Sequence, residues 1–269
     1  MRWSTGASKC HWLALYPDRI RREAAIEYCP DPQDEGAIAH TAPVSAGFAH
    51  FLVIHLRGSA MNSPAPLMQP AQCALLLVDL QAGLAFGVGS SDRQTLLNNA
   101  VALSRTAVTF GIPVVASTSA SKVYSGPLMP AVQAALPDVK SIERRNMNVW
   151  EDDSARNAVL STQRRRLLVC GLLTEACVTF PVLSALSEGF EVFVVADACG
   201  GITATSHELA LRRMEAAGAR VTSWIQILLE FQRDWTRHET YDAARAIVEA
   251  YGGGYGIGLS YARDMIHPG

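Results

Sequence analysis

A thiol, a carboxylate and a guanidinium stand in this sequence where covalent chemistry could use them together. Cys177 lies in Gly171–Leu172–Leu173–Thr174–Glu175–Ala176–Cys177–Val178, just past an apolar run. Most cysteines are small buried core residues. Here, however, Pro181 is tolerated in a helix mainly in its first turn, so a helix should begin only a few residues before it. Cys177 is then expected at a helix N-terminus, where the dipole and free backbone N–H groups favour a thiolate. Thiol pKa values in such settings fall from about 8.5 into the range of roughly 3.5–7.5. The same N–H groups are ready donors to an oxyanion. Asp79 closes the run Leu75–Leu76–Leu77–Val78, and a carboxylate after four apolar residues is costly to bury unless paired; a cap or turn role is the alternative. Arg144, after Ile142–Glu143, is a candidate cation, although a lone arginine there is more often a solvated loop residue, and Lys122 is a weaker candidate better read as solvated.

These residues need elements that bring them together. From about Cys73 the pattern alternates between strand-like and helix-like segments. Strands are expected at Ala74–Leu80, Pro113–Ser117, Val139–Ile142, Leu167–Cys170, Glu191–Ala196 and Arg220–Thr222. Helices are expected at Asp92–Phe110, Asp153–Thr162, Thr179–Ser187 and Ser206–Ala217, and an amphipathic one begins at Trp224. Continuous apolar strands alternating with helices call for a parallel sheet buried on both faces. The fold class is therefore α/β, a three-layer Rossmann-like sheet with helices on both sides and its site at the carboxyl ends of the strands. Residues 1–68 show no sustained period and end in Asn62–Ser63–Pro64–Ala65–Pro66; they read as an N-terminal extension, poorly ordered, with Met61 an alternative start. The domain then spans 69–269, and Tyr251–Gly256 within it reads as a flexible tail.

Among 269 residues, 49% hydrophobic and 18% charged, a sizeable core can be buried, and a net charge of −2 argues against nucleic acid as a partner. The six cysteines form no CxxC pair and have no histidine at zinc-ligand spacing, which points to a reducing, cytoplasmic protein without a disulfide framework. No apolar stretch is long enough to span a bilayer and no signal peptide is evident, so no membrane partner is expected. No phosphate-binding glycine motif follows a first strand, and no cofactor is expected.

The segments LLLVDLQ, IERRNMNVWED, GLLTEACVTFPVLSALSEGFEVFVVADACGG and WIQILLEFQRDW resemble the isochorismatase-like cysteine hydrolases, specifically the YcaC-related branch. The likeness covers roughly residues 70 to 267. It implies a catalytic Asp–Arg–Cys triad of Asp79, Arg144 and Cys177, with a cis peptide at Leu172–Leu173. It also implies an oxyanion hole from the backbone N–H groups of Leu173 and Cys177. Gln81, Asn148 and Trp150 would line the substrate pocket, with a turn role for Asn148 and a packing role for Trp150 as equal alternatives. Leu80 stands where the branch usually has His, and Cys199 where it often has Ser; neither replaces a triad member. Arg144 cannot usefully give up a proton near neutral pH, so its role would be that of a fixed charge.

The resemblance implies hydrolysis of a small molecule of the amide, carbamate or vinyl-ether type, with C–N cleavage favoured, by a homo-oligomer. Nicotinamidases of this family hold a metal through Asp-x-His and further histidines, but residues 80–140 contain no histidine, so no metal is expected. His207 and His238 are expected to be solvated or capping, and Glu175 to pair with Arg144 or cap the helix. The rival class, a non-catalytic oligomeric binding or scaffold protein, would be marked by loss of a triad member, and none is missing.

Overall fold

The computed structural model describes residues 67–266. The proposed extension lies outside them except for its last two residues, and Met68 belongs with the domain. Its side chain is buried in the core, and its N–H donates to Glu230 Oε2 at 2.8 Å.

Six strands form one parallel sheet: β1 (Cys73–Val78), β2 (Val114–Ser119), β3 (Ile142–Arg144), β4 (Arg166–Leu172), β5 (Glu191–Gly200) and β6 (Arg220–Thr222), in the order β3-β2-β1-β4-β5-β6. Every residue of β1 and β4 is buried, as their unbroken apolar runs require of strands covered on both faces. The chain leaves β1 toward β2 on one side and returns through β4 on the other. The two central strands therefore flank the switch point at which open α/β sheets form their crevice.

The connections are helices α1 (Ala82–Ala85), α2 (Arg93–Thr109), α3 (Pro130–Ala135), α4 (Asp153–Ser161), α5 (Thr179–Ser187) and α6 (Ala204–Ala216). Helices α7 (Trp224–Gln232), α8 (His238–Tyr251) and α9 (Gly253–Tyr261) follow the last strand. Helix α2 begins where Asp92 accepts from the Thr95 N–H at 2.8 Å, and it packs with α7 and α8 on one face. Helices α4, α5 and α6 cover the other. Among the described residues no helix is long and apolar enough to cross a membrane.

Four expectations need correction. The third strand is Ile142–Arg144, because Val139 is held in a turn after α3, its N–H on Leu136 O and its carbonyl on Gln133 Nε2. Arg144 is thus the last residue of that strand. Strand β5 runs on to Gly200 past the polar Asp197, whose carboxylate accepts from the Trp224 N–H at 3.0 Å and caps α7. The glycine-rich Tyr251–Gly256 is not a loose tail but the junction between α8 and α9, and α8 buries Ala244, Ile247 and Val248. Finally, Cys177 does not open a helix: helical backbone begins at Thr174 as a π-turn, Thr174–Val178, closed by Val178 N–H on Leu173 O, and α5 continues from it.

Candidate active site

Strands β1 and β4 run side by side to the carboxyl edge, Val78 opposite Gly171. Gly171 has φ +145, and a Cβ there would lie 1.9 Å from Val78 O, so only glycine lets the end of β4 pass this close to β1. One residue further, Asp79 adopts φ 51, the left-handed region that costs a non-glycine residue about 1 kcal/mol or more. Its N–H is held by Ser117 O at 2.9 Å and its carbonyl by Gln81 N–H at 2.7 Å. This kink ends the strand and fixes where the carboxylate points. On the other side the Leu172–Leu173 peptide is cis, at the position the resemblance implies.

The Asp79 carboxylate is buried and gripped by a fork: Arg144 Nη1 donates to Oδ1 at 2.9 Å and Nη2 to Oδ2 at 2.7 Å. Arg144 Nη2 also reaches Met147 O at 3.0 Å, and the Ser119 hydroxyl lies 3.2 Å from Oδ2. The half-buried Cys177 thiol interacts with this carboxylate and with the backbone N–H of Leu173. Burial pushes the Asp79 carboxyl above its ordinary range, against the pull of Arg144, the thiol and Ser119. Burial, and then the charge of Asp79, push the Cys177 thiol up, against the Leu173 N–H and Arg144. The expectation of a lowered thiol pKa therefore fails. A buried sulfur facing a carboxylate feels desolvation and repulsion more than any helix dipole. The arrangement is a thiol beside a buried carboxylate that a guanidinium grips.

The isochorismatase domain family matches residues 73–226, more than half of the chain. The chain belongs to this family. The probable hydrolase YcaC of Escherichia coli (strain K12) is 38% identical over 176 residues, 65% of this chain and 85% of that protein. Its crystal structure, described as an octameric hydrolase of unknown specificity, superposes with a TM-score of 0.72 at 34% identity, covering 76% of this chain and all of that one. YcaC from Pseudomonas aeruginosa, solved with hexane-2,5-diol and covalent acrylamide, gives a TM-score of 0.69 at 34% identity, covering 72% of this chain and 95% of that one.

In this isochorismatase-like hydrolase, the triad residues read from the sequence converge. Of the three expected to line the pocket, Gln81 and Asn148 have their polar groups engaged, and the buried Trp150 Nε1 has no hydrogen-bond partner among the described residues. Gln81 is fully buried: its Nε2 donates to Ser119 O at 3.1 Å and to Gly126 O, and its Oε1 accepts from Ser119 N–H at 3.0 Å. It braces the segment after β2. Asn148 donates to Glu151 Oε1 at 3.2 Å and Ser184 Oγ at 3.1 Å and accepts from the Trp150 N–H at 3.0 Å; Trp150 packs edge-on against Phe190. Ser184 lies seven residues beyond Cys177, about 10 Å along the helix. These contacts make Asn148 and Trp150 a cap and a packing group against the far half of α5. Lys122 is exposed, as expected.

Glu175 does not pair with Arg144. Its Oε1 accepts from the Ile202 N–H at 2.9 Å and the Ser206 hydroxyl at 3.3 Å. His207, expected to be solvated or capping, is half-buried with Nδ1 2.8 Å from Thr174 Oγ1. Sequence reasoning missed this because the partners come from two helix starts that periodicity does not relate. Among the described residues no group of three or more His, Cys, Asp or Glu side chains is placed to hold a metal ion.

Proposed function

We propose that the chain is a cysteine hydrolase that cleaves a C–N bond of a small amide or carbamate, with Cys177 as nucleophile, Asp79 as base and Arg144 as fixed cation. The observation that carries this reading is the Asp79 carboxylate held in the Arg144 fork beside the Cys177 thiol. Asp79 takes the thiol proton as sulfur bonds to the carbonyl carbon, and the carbonyl electron pair moves onto oxygen. The backbone N–H groups of Leu173 and Cys177 hold that oxyanion, each such donor contributing about 3–4 kcal/mol. When the C–N bond breaks, Asp79 returns the proton to nitrogen. Water then attacks the thioester as Asp79 takes its proton, the C–S bond breaks, and sulfur recovers the proton from Asp79. Gln81, Asn148 and Trp150 hold the frame around this chemistry. The covalent acrylamide in the Pseudomonas aeruginosa relative supports the reading, since acrylamide is an electrophilic amide of the kind thiolates add to.

The same proposal makes the protein a homo-oligomer in a reducing, cytoplasmic setting. The Escherichia coli relative is octameric, the described C-terminal helices leave Tyr255, Ile257, Tyr261, Met265 and Ile266 exposed, and the four described cysteines are unpaired. A screen of amides, carbamates and vinyl ethers with the wild type and Cys177→Ser tests the mechanism. Turnover should vanish in the variant, which loses only the polarizable atom; retained turnover refutes the nucleophile.

A further inference from the structure

The turn that carries Cys177 is fastened at two successive residues to the start of α6, and none of the proposed chemistry uses these contacts. Thr174, fully buried, directly follows Leu173, whose N–H faces the thiol, and its hydroxyl shares a 2.8 Å hydrogen bond with His207 Nδ1. Its carbonyl accepts from the Thr179 hydroxyl at 2.6 Å, so both polar ends of Thr174 are engaged. Glu175 next to it takes the Ile202 N–H and the Ser206 hydroxyl. Ser206 in turn forms the capping box of α6 with Thr203. The approach is close: a Cβ on Gly201 would meet Glu175 Oε2 at 2.8 Å and His207 Cβ at 3.0 Å. A helix normally meets its neighbours through apolar side chains, and a half-buried imidazole on a buried hydroxyl is an unusual way to do so.

We propose that His207 is a positioning residue which, through Thr174, holds the Leu173 N–H against the Cys177 sulfur. This rests on Cys177 being the nucleophile. At the π-turn the Ala176 and Val178 N–H groups both return to the carbonyl of Leu173, and the Thr179 N–H reaches Ala176 O and Thr174 O. Leu173 is thus placed between Leu172, paired in the sheet with Gly200, and Thr174, whose hydroxyl is held by His207. Burial lowers the His207 pKa, with Glu175 opposing, which favours the neutral ring. A neutral ring with its proton on Nε2 accepts the Thr174 hydroxyl proton at Nδ1.

The test alkylates the full-length protein with iodoacetamide across pH and quantifies the Cys177 peptide by mass spectrometry, which separates it from the other cysteines. Thr174→Val and His207→Leu remove the bond; Thr174→Ser and His207→Asn keep it. The groups facing the thiol from other strands, Asp79 and Arg144, are left in place. The Leu173 N–H lowers the thiol pKa, so its loss raises the alkylation midpoint by about one unit, a tenfold slower reaction at a fixed pH below it. The expected result is that rise in Thr174→Val and His207→Leu and its absence in Thr174→Ser and His207→Asn. A fall in thermal stability with an unmoved or lowered midpoint in the first pair overturns the proposal and leaves the contact merely structural. If hydrolysis survives Cys177→Ser, the nucleophile reading fails. If it vanishes there while the midpoint stays fixed in Thr174→Val, only the positioning role fails.

Discussion

Replacing Arg144 by leucine tests how the buried carboxylate is tolerated. In the wild type both side chains of the pair are fully buried, and the fork supplies two of the carboxylate's partners. Leucine leaves Asp79 with the Ser119 hydroxyl and the thiol. Removing one partner of a buried ion pair costs about 3–5 kcal/mol. A domain of this size loses about 2–4 °C of Tm per kcal/mol, so a fall of roughly 6–20 °C is expected at pH 8. Its pH dependence identifies the cause. Burial already holds the Asp79 carboxyl above its ordinary value, and Arg144 is the main opposing influence, so its removal raises that value further. An acid whose folded pKa lies above its unfolded one binds its proton more tightly when folded. Stability then falls as pH rises from about 4 through the folded pKa.

The deficit of Arg144→Leu against wild type should therefore shrink at pH 5 and reach its full size by pH 8. The double variant Asp79→Leu/Arg144→Leu, which buries no charge, should regain most of the loss at every pH. Thermal denaturation followed by circular dichroism from pH 5 to 8, at one protein concentration because subunit association shifts Tm, gives both comparisons. A deficit that does not change with pH, or a double variant as unstable as the two singles summed, would refute a charged Asp79 as the reason for Arg144.

Alkylation of wild-type Cys177 should show a midpoint above the ordinary thiol value of 9.0; a midpoint below it would show that the carboxylate is not the charge the sulfur feels. Gly171→Ala, which sets a Cβ 1.9 Å from Val78 O at φ +145, should cost about 3 kcal/mol or more and abolish activity. A near-native Tm with full turnover would contradict the close passage of β4 over β1. Static light scattering of the full-length protein at micromolar concentration should return a multiple of 29.0 kDa; the monomer mass would contradict the assembly drawn from the exposed C-terminal side chains.

The elements legible in the sequence are those whose signal is local. The run from Ala74 to Val78 has no reading other than a doubly covered strand, and Asp92 before a helical period marks the start of α2. What failed depended on partners elsewhere in the chain. Asp197 looks like the end of β5 until its carboxylate is seen on the Trp224 N–H, 27 residues on. The glycines after Tyr251 look like a tail until α8 is seen packed on α2. Pro181 pointed to a helix start near Cys177, which the π-turn sets three residues earlier at Thr174, but it said nothing of the proton affinity of the thiol. That depends on how deeply the sulfur sits and on the charge of Asp79, which a helix boundary does not reveal.

Between a catalytic site and a retained scaffold, the distribution of unfavourable features in the fold weighs for catalysis. Asp79 combines a left-handed backbone with a buried charge, and its guanidinium partner keeps a buried Nε without a hydrogen bond. Gly171 gives up a side chain inside a strand that is apolar from Leu167 to Cys170. Each of these departures destabilises a sheet whose remaining residues follow the simplest rules of burial. A scaffold under selection for stability alone would shed them, since a hydrophobic pair in place of Asp79 and Arg144 is often neutral or stabilising by about 1–4 kcal/mol. Instead they converge at the carboxyl edge of the sheet, where Arg144 reaches across from β3 to Asp79 and β4 passes β1. Local conflicts concentrated in this way are expected where the chain meets a requirement other than folding. A carboxylate held charged against a thiol is such a requirement.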